Sequence, residues 1–470
     1  MDFRKFKNIH LTGIKGVGMT ALALYFQDMR MNVSGSDVSE VFVTDEVLKK
    51  RDIKWRNDFD KRNVAKGTDL LITTAAHGGL ENEEVKYAKL HGIKVLTYAE
   101  ALAEVSYEKE TVCVCGVGGK TTTCSMLSVL LDSAGLDPSF VVGVGSIFPL
   151  GVSGRYLANG RNFICEGDEY VVSPGINNSA KFSLLKPKII IVTNIEYDHP
   201  DVYKSFDETK EVFLNFFSKL PKYGSLIVNA DNINTMSVVE KSKVKAITYG
   251  FDKMSDYRVQ NVRYEDQKTK FDVYIKKKKS VVKDVMISVP GEFNIRNAAS
   301  VFAAGDVLGI EGEEIKKGLA RYLGCRRRFE DMGNYKGAKF FDDYAHHPGE
   351  IKETLKAVRA WFPKRRIVVI FQPHTYSRTK ALFSEFSKSF KNSDVVALMD
   401  IYASAREKDS LGINSSLLAD ETKKYNKKTF YVGGQKETLG WIDKNIKSGD
   451  VVLTMGAGDI FHLYTDLKLE

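Results

Sequence analysis

Apolar and polar positions alternate along this chain in short, regular bursts. Ile9-His10-Leu11-Thr12, Leu70-Leu71-Ile72-Thr73 and Lys94-Val95-Leu96-Thr97 are short runs dominated by apolar and β-branched residues, with helical spacing between them. Short strands alternating with helical segments predict an α/β fold on a parallel sheet. A second block opens near residue 108. There Val112-Cys113-Val114-Cys115 runs into Gly116-Val117-Gly118-Gly119-Lys120-Thr121-Thr122-Thr123, and an apolar helical segment follows through Met126, Leu127, Val129, Leu130 and Leu131. The block continues through two buried strands, Lys188-Ile189-Ile190-Ile191-Val192-Thr193 and Ser225-Leu226-Ile227-Val228, then a β-rich stretch from about 255 to 290 and a helix from Asn294 to about Leu308. Alternation returns in the last block, with strands at Arg366–Phe371, Val395–Met399 and Val451–Met455. The pattern therefore predicts three α/β domains, 1–107, 108–324 and 325–470.

Length supports the division, because 470 residues exceed what one hydrophobic core serves. Hydrophobic residues at 43% and charged residues at 27% are ordinary for a globular protein. No run of about 18 apolar residues exists, which predicts no membrane span. The start, Met1-Asp2-Phe3-Arg4-Lys5-Phe6-Lys7, leads into a strand without a long apolar signal core, and the five cysteines lack metal-knuckle spacing. Both features predict reduced thiols and a cytoplasmic protein. The net charge of +9 is spread along the chain. Its densest run, Lys276 to Lys279, follows the alternating Phe271-Asp272-Val273-Tyr274-Ile275 and reads as a solvated hairpin turn rather than a nucleic-acid patch. A modest positive balance suits anionic substrates.

The glycine-rich stretch at 116–123 carries the strongest chemical signal. Strand, loop and helix in that order suit a triphosphate. Glycines let backbone N–H groups approach oxygens, the helix start adds partial positive charge, and Lys120 supplies a full one. A Thr hydroxyl beside the lysine can ligate Mg²⁺. The spacing is a shortened variant of the phosphate loop, with Val114 where the strict pattern has glycine.

Other groupings surround it. Gly13-Ile14-Lys15-Gly16-Val17-Gly18 after the first strand, with Asp37 closing a second, fits a dinucleotide or a UDP-like pyrophosphate. Cys165-Glu166-Gly167-Asp168-Glu169-Tyr170 packs carboxylates suited to Mg²⁺, and His199 beyond the most apolar strand suits a second metal. Asn294 and Asn297 are placed to read an adenine edge or to cap a helix. Arg326-Arg327-Arg328 suits phosphate oxygens. Asp342-Asp343-Tyr344-Ala345-His346-His347 and Gln372-Pro373-His374-Thr375-Tyr376-Ser377-Arg378 give the last block a site of its own. The adjacent His346 and His347 point apart on an extended chain, so they do not make a metal pair alone.

Taken in order, these motifs resemble the Mur ligases, the ATP-dependent amide-forming family of peptidoglycan synthesis. Ser34-Gly35-Ser36-Asp37, Thr193-Asn194-Ile195-Glu196-Tyr197-Asp198-His199, Arg327-Arg328-Phe329-Glu330 and Gly456-Ala457-Gly458-Asp459-Ile460 complete the set, which spans the chain end to end. The resemblance implies a Rossmann-like UDP-binding domain, a central ATPase domain and a Rossmann-like C-terminal domain that takes the amino acid. It implies ATP and Mg²⁺, an acyl-phosphate intermediate, and UDP-N-acetylmuramate with L-alanine as partners. It leaves monomer and homodimer open. By position, Gly13, Gly16, Gly18 and Asp37 would bind the UDP substrate. Gly116, Val117, Gly118, Gly119, Lys120, Thr121 and Thr122 would bind ATP together with Asn294, Arg327 and Asp343. Thr121, Glu166 and His199 would hold Mg²⁺. Lys120, Glu166, His199 and Arg327 would be catalytic, and Tyr344, His346 and Arg378 would flank the alanine.

The chain departs from the family pattern in places. Gly116-Val117-Gly118 stands where Gly-Thr-His is usual, and Thr375 where some members carry Arg. No lysine clearly fits the carbamylated position of some members. Glu166-Gly167-Asp168-Glu169-Tyr170 and Ala180-Lys181-Phe182 resemble a recycling ligase that attaches a tripeptide to the same UDP-sugar. Phe371–Arg378 and Asp400-Ile401-Tyr402-Ala403-Ser404-Ala405-Arg406-Glu407 resemble the alanine-adding member. Two other classes compete. A nicotinamide dehydrogenase would leave Lys120 and Thr121 idle, and a non-catalytic nucleotide-binding module would bind ATP without releasing phosphate.

Overall fold

The structure is a computed structural model that describes every residue except 174, 200, 201, 404–406 and 408. It is α/β throughout, with three main sheets. The first sheet has five parallel strands, β1 (Asn8–Thr12), β2 (Asn32–Ser36), β3 (Lys54–Arg56), β4 (Leu70–Thr73) and β5 (Lys94–Thr97), in the order β3-β2-β1-β4-β5. Helices α1 (Val17–Asp28), α2 (Asp45–Lys50), α3 (Glu83–Leu90) and α4 (Tyr98–Ser106) alternate with the strands or follow the last of them. The start of α4 is set locally. Thr97 accepts from the Glu100 N–H and the Glu100 carboxylate reaches back to the Thr97 N–H.

The second sheet is built on β6 (Glu110–Cys115), which feeds helix α5 (Lys120–Ser133). The chain continues through β7 (Ser139–Val141), the small strand β8 (Ile147–Phe148), which lies outside this sheet, the small strand β9 (Gly154–Arg155), and β10 (Asn162–Gly167). A hairpin, β11 (Val171–Ser173) and β12 (Asn177–Ala180), stands outside this sheet. Then come β13 (Ile189–Val192), α6 (Phe206–Phe217), β14 (Ser225–Asn229), α7 (Ile233–Ser242), β15 (Ala246–Gly250), β16 (Tyr257–Glu265), β17 (Lys268–Ile275) and β18 (Ser280–Ile287). Helices α8 (Glu292–Val307) and α9 (Gly312–Arg321) precede β19 (Gly324–Cys325), which pairs with β8. The ten-stranded order is β18-β17-β16-β15-β14-β13-β6-β10-β7-β9, so β6 lies between β13 and β10. Their register is fixed: Glu166 of β10 sits beside Val114 of β6, and Val192 of β13 beside Cys115. Lys276 to Lys279 form the exposed turn between β17 and β18, as the alternation predicts.

The third sheet contains β20 (Glu330–Tyr335), β21 (Ala338–Asp343), β22 (Ile367–Phe371), β23 (Val395–Met399), β24 (Thr429–Gly433) and β25 (Val451–Met455). Their order is β20-β21-β25-β22-β23-β24, with β20 antiparallel and the rest parallel. Helices α10 (Pro348–Trp361), α11 (Tyr376–Ala381), α12 (Phe383–Ser387), α13 (Ser415–Thr422), α14 (Gln435–Asn445) and α15 (Leu463–Asp466) complete it. Separate hydrophobic clusters form around Val369, Phe371 and Leu453 and around Val368, Ile370 and Val452, as side chains alternate across one sheet.

Packing divides the chain into two compact units. Residues 1–263, 270–288 and 294–326 form the first; residues 264–269, 289–293 and 327–470 form the second. All five cysteines are buried thiols outside any disulfide. Among the described residues, no helix is long and apolar enough to cross a membrane.

Candidate active site

In the first unit, functional side chains gather at the carboxyl ends of the adjacent strands β13, β6 and β10. Ligand sites of open parallel sheets lie at such ends. The phosphate loop follows β6. Gly116 and Gly119 hold φ of +125° and +86°, where a side chain is strained. Space forbids one too. A Cβ at Gly116 would meet Thr193 Oγ1 at 2.3 Å, and one at Gly119 would meet Asn297 Oδ1 at 2.7 Å. Gly118 donates its N–H to Asn194 Oδ1 at 2.9 Å. Val117 lies in the same turn and Thr122 in the first turn of α5, and both are half-buried. Asn294 and Asn297 are buried on α8, and the Asn297 amide donates to Asn294 Oδ1 at 3.3 Å.

Lys120 opens α5. Its ammonium donates to the Gly116 carbonyl at 2.6 Å and meets Glu169 at 3.1 Å. Burial works to lower its pKa, but Glu169, Asp168 and Glu166 outweigh burial and hold it raised, so the charge is secure. Thr121 donates its hydroxyl to Glu166 Oε2 at 3.1 Å, and Gly143 donates its N–H to Glu166 Oε1 at 2.7 Å.

His199 joins a different carboxylate. Its Nε2 lies 3.4 Å from Glu169 Oε1 and 3.7 Å from Asp198. Ligand atoms of Asp168, Glu169 and His199 all fall within 4.8 Å of one another. Burial lowers the His199 pKa and its acidic neighbours, Glu169 first, raise it to a net upward shift. For Asp168, burial is outweighed by Lys181, 2.7 Å away, and by Lys120, and the pKa falls. Glu169 therefore bridges Lys120 and His199. It was visible in sequence only as one of three neighbouring carboxylates. The oxygen-rich donors fit a hard divalent cation in two places, Thr121 with Glu166, and Asp168 with Glu169 and His199.

The glycine turn between β1 and α1 is also tight. Gly13 has φ of +82°, and a side chain there would strike Thr74 at 2.4 Å. One at Gly18 would meet the Tyr98 hydroxyl at 2.8 Å, whereas Gly16 has room. Asp37 is buried, and its carboxylate accepts from the N–H groups of Lys15 at 2.7 Å and Val38 at 2.8 Å. Its observed work is to hold the turn. His77 Nε2 lies 3.7 Å from Asp37 and its ring packs on Phe59 at 5.0 Å, a pairing the sequence pattern did not signal.

The second unit gathers the remaining residues. Arg327 is buried, with φ of +59°. Its guanidinium donates to Asp342 at 2.8 Å, to the Gly456 carbonyl at 2.6 Å and to the Gly458 carbonyl at 3.1 Å. All three partners are protein groups. Asp343 accepts from the Phe329 and Ala345 N–H groups at 2.9 Å each. Burial pushes its carboxyl up to about 6. His346 packs edge-on against Tyr344 at 5.2 Å, while His347 caps α10, so the adjacent imidazoles do part. Arg378 Nη1 donates to His374 Nδ1 at 3.5 Å, and His374 stacks on Tyr402 at 5.6 Å. Burial, helped by Arg378 and His346, pushes His374 down to about 4. Tyr344, His346 and Arg378 thus sit in one locality, with His374 and Tyr402 as additional members. Ser404, Ala405 and Arg406 of the motif beginning at Asp400 lie outside the described residues.

A phosphate loop backed by a carboxylate–imidazole cluster, followed by a Rossmann-like domain with its own polar site, defines a nucleotide-using ligase architecture. Family comparison gives the class its name. Residues 8–109 match the Mur ligase family catalytic domain, 114–305 the Mur ligase middle domain, and 327–458 the Mur ligase glutamate ligase domain. The chain belongs to the Mur ligase family. It is similar to the UDP-N-acetylmuramate–L-alanine ligase of Acetivibrio thermocellus, with 37% identity over 98% of this chain and 95% of the relative. The enzyme of the same name from Treponema pallidum is 35% identical over 96% and 94%. Among solved structures, the UDP-N-acetylmuramate–alanine ligase of Thermotoga maritima matches with a TM-score of 0.81 at 26% identity, over 98% of this chain and 97% of that one. A murein peptide ligase from Psychrobacter arcticus shares the fold at 22% identity, with a TM-score of 0.69 over 98% of both chains.

Proposed function

We propose that this protein joins L-alanine to UDP-N-acetylmuramate at the expense of ATP, in the cytoplasm, with Mg²⁺. The observation that carries the reading is the phosphate loop with Lys120 beside Glu166, Glu169 and His199, in a chain similar end to end to L-alanine ligases. Residues 1–107 serve the UDP substrate, 108–324 ATP, and 325–470 the amino acid.

The chemistry needs positioning and charge neutralisation above all. A muramoyl carboxylate oxygen attacks the γ-phosphorus, a P–O bond forms, and ADP leaves. The alanine amine then attacks the acyl carbon, an amide forms, the amine loses a proton, and phosphate departs. Loop N–H groups and Lys120 grip phosphate oxygens. For Lys120, this means exchanging Glu169 and the Gly116 carbonyl for the nucleotide. Mg²⁺ held by Thr121 with Glu166, and by Glu169 with Asp168 and His199, supplies charge neutralisation when bound. Arg378, oriented by His374, grips the amino-acid carboxylate between Tyr344 and His346. Asn294 and Asp343 serve the adenosine. Arg327 supports the phosphate end by fixing the backbone around Asp342 and Gly456.

The Glu166–Tyr170 segment favours a second reading, the tripeptide-recycling ligase. Phosphate release with UDP-N-acetylmuramate, ATP and Mg²⁺, screened against free amino acids and the tripeptide, tests both. Release strongest with L-alanine supports the first reading. Release with the tripeptide alone replaces it with the second, and release with neither removes both.

A further inference from the structure

Lys15 lies inside the glycine turn between β1 and α1, yet it is 1% exposed and faces no solvent. Its backbone N–H is held by Asp37. Its ammonium donates to the Glu40 carbonyl, lies 3.8 Å from an Asp45 carboxylate oxygen and stands 5.0 Å above the Phe42 ring. Thr44 donates its hydroxyl back to the Lys15 carbonyl at 2.5 Å. One residue therefore fastens both ends of the segment that leaves β2.

That segment has a position worth fastening. It starts at the carboxyl end of β2, beside the glycine turn at the end of β1. Its tip is open, with Val41 58% exposed. Its far end meets the polypeptide around the phosphate loop domain. A side chain at Gly145 would touch Val43 at 3.4 Å, and Glu46 pairs with Arg326 at 2.9 Å. The segment thus forms a wall running from the first sheet's crevice toward the second sheet. Burying an ammonium under a mobile surface loop is costly unless its partners stay in place. The lysine and the wall order each other.

We propose that Lys15 is a positioning residue for the UDP-sugar substrate, holding residues 38–45 as one wall of its site. The proposal rests on the functional reading above and deepens it. Lys15 touches no substrate; it acts through the segment.

The test compares Lys15→Met, Lys15→Arg and Thr44→Val by phosphate release, with each substrate varied in turn. Lys15→Met is expected to raise KM for UDP-N-acetylmuramate about tenfold, consistent with losing a charge-assisted bond. KM for ATP and alanine should stay within about twofold, because those ligands are held elsewhere. Lys15→Arg should recover most of the loss, since it keeps the charge over Phe42. Chymotrypsin should cut after Phe42 faster in Lys15→Met, and UDP-N-acetylmuramate should slow that cut. If Lys15→Met does not fold, Thr44→Val carries the test, because it removes one anchor and leaves the buried charge alone; KM for the UDP-sugar should rise by a few-fold. Equal changes in all three constants, or no change in that for the UDP-sugar, would overturn the proposal. Wild-type protein that releases no phosphate with UDP-N-acetylmuramate would overturn the functional reading itself, a result distinct from active wild type and an indifferent variant.

Discussion

Lys120 is committed before any nucleotide arrives, between a loop carbonyl and Glu169. Lys120→Ala removes the loop's full charge while freeing Glu169 to keep His199, so the fold should survive. Phosphate release should fall by about a hundredfold or more, with little change in the melting temperature; both are measured on the same preparation. The two metal-side carboxylates should differ. Glu166→Gln leaves a group that still accepts from Thr121 and Gly143, whereas Glu169→Gln removes a charge shared by Lys120 and His199. Mg²⁺ titration of activity should therefore show the larger rise in requirement, about tenfold, for Glu169→Gln. Sequence gave no means of ranking these carboxylates. Glu166 lies within β10 and turns toward α5, while Asp168 and Glu169 lie beyond the strand's end, where the turn sets direction and alternation no longer does. Arg327 posed the same difficulty, since an arginine run does not reveal which guanidinium pairs with Asp342. His374 has a pH signature. It is neutral in the fold down to about 4, while the unfolded chain protonates near the ordinary value. Between those values the unfolded state binds more protons, so this residue's share of stability is present above the ordinary value and drains away as pH falls toward 4. His374→Gln should flatten that acid-side decline, as thermal melts across the interval will show.

Elements were more legible than side-chain partners. Leu70–Thr73, Val395–Met399 and Val451–Met455 are strands in the structure with the bounds read from sequence. Each is a buried parallel strand between two helical stretches, where a continuous apolar run has one reading. The two-residue strands β8, β9 and β19 and the hairpin β11–β12 went unread, because two residues carry no period and Asn177-Asn178-Ser179 has no apolar face. The strand–loop–helix unit at β6–α5 was legible because glycine marks a backbone demand. That demand can be measured. Gly119→Ala combines a positive φ with a contact to Asn297, and should lower stability by roughly 1–3 kcal/mol in urea unfolding while raising KM for ATP.

At the scale of the molecule, the residues assigned to phosphate and metal, save Arg327, belong to the first unit, and those assigned to the amino acid belong to the second. One main sheet falls in each of the three blocks, while most of the first two blocks pack as one unit and residues 264–269 and 289–293 join the other, since hydrophobicity records what is buried and not how sheets group into units. The net charge of +9 acts on the whole surface. Raising ionic strength should increase KM for ATP and for the UDP-sugar a few-fold and move that for zwitterionic alanine less, because screening weakens the pull on anions. Steady-state kinetics across a salt series will show the split.

The ladder between β10 and β6 carries a consequence for how such a chain can vary. Glu166 faces Thr121 because it sits beside Val114, two residues before the turn. Removing one residue from β10 would turn that carboxylate to the opposite face of the sheet, since strand side chains alternate with a period of two. Exchanging one apolar residue for another along the same strand leaves its orientation untouched. Descent within this lineage can therefore exchange the apolar letters of β10 ahead of Glu166 and lengthen the exposed turn at 276–279, but it cannot change the strand's length by one.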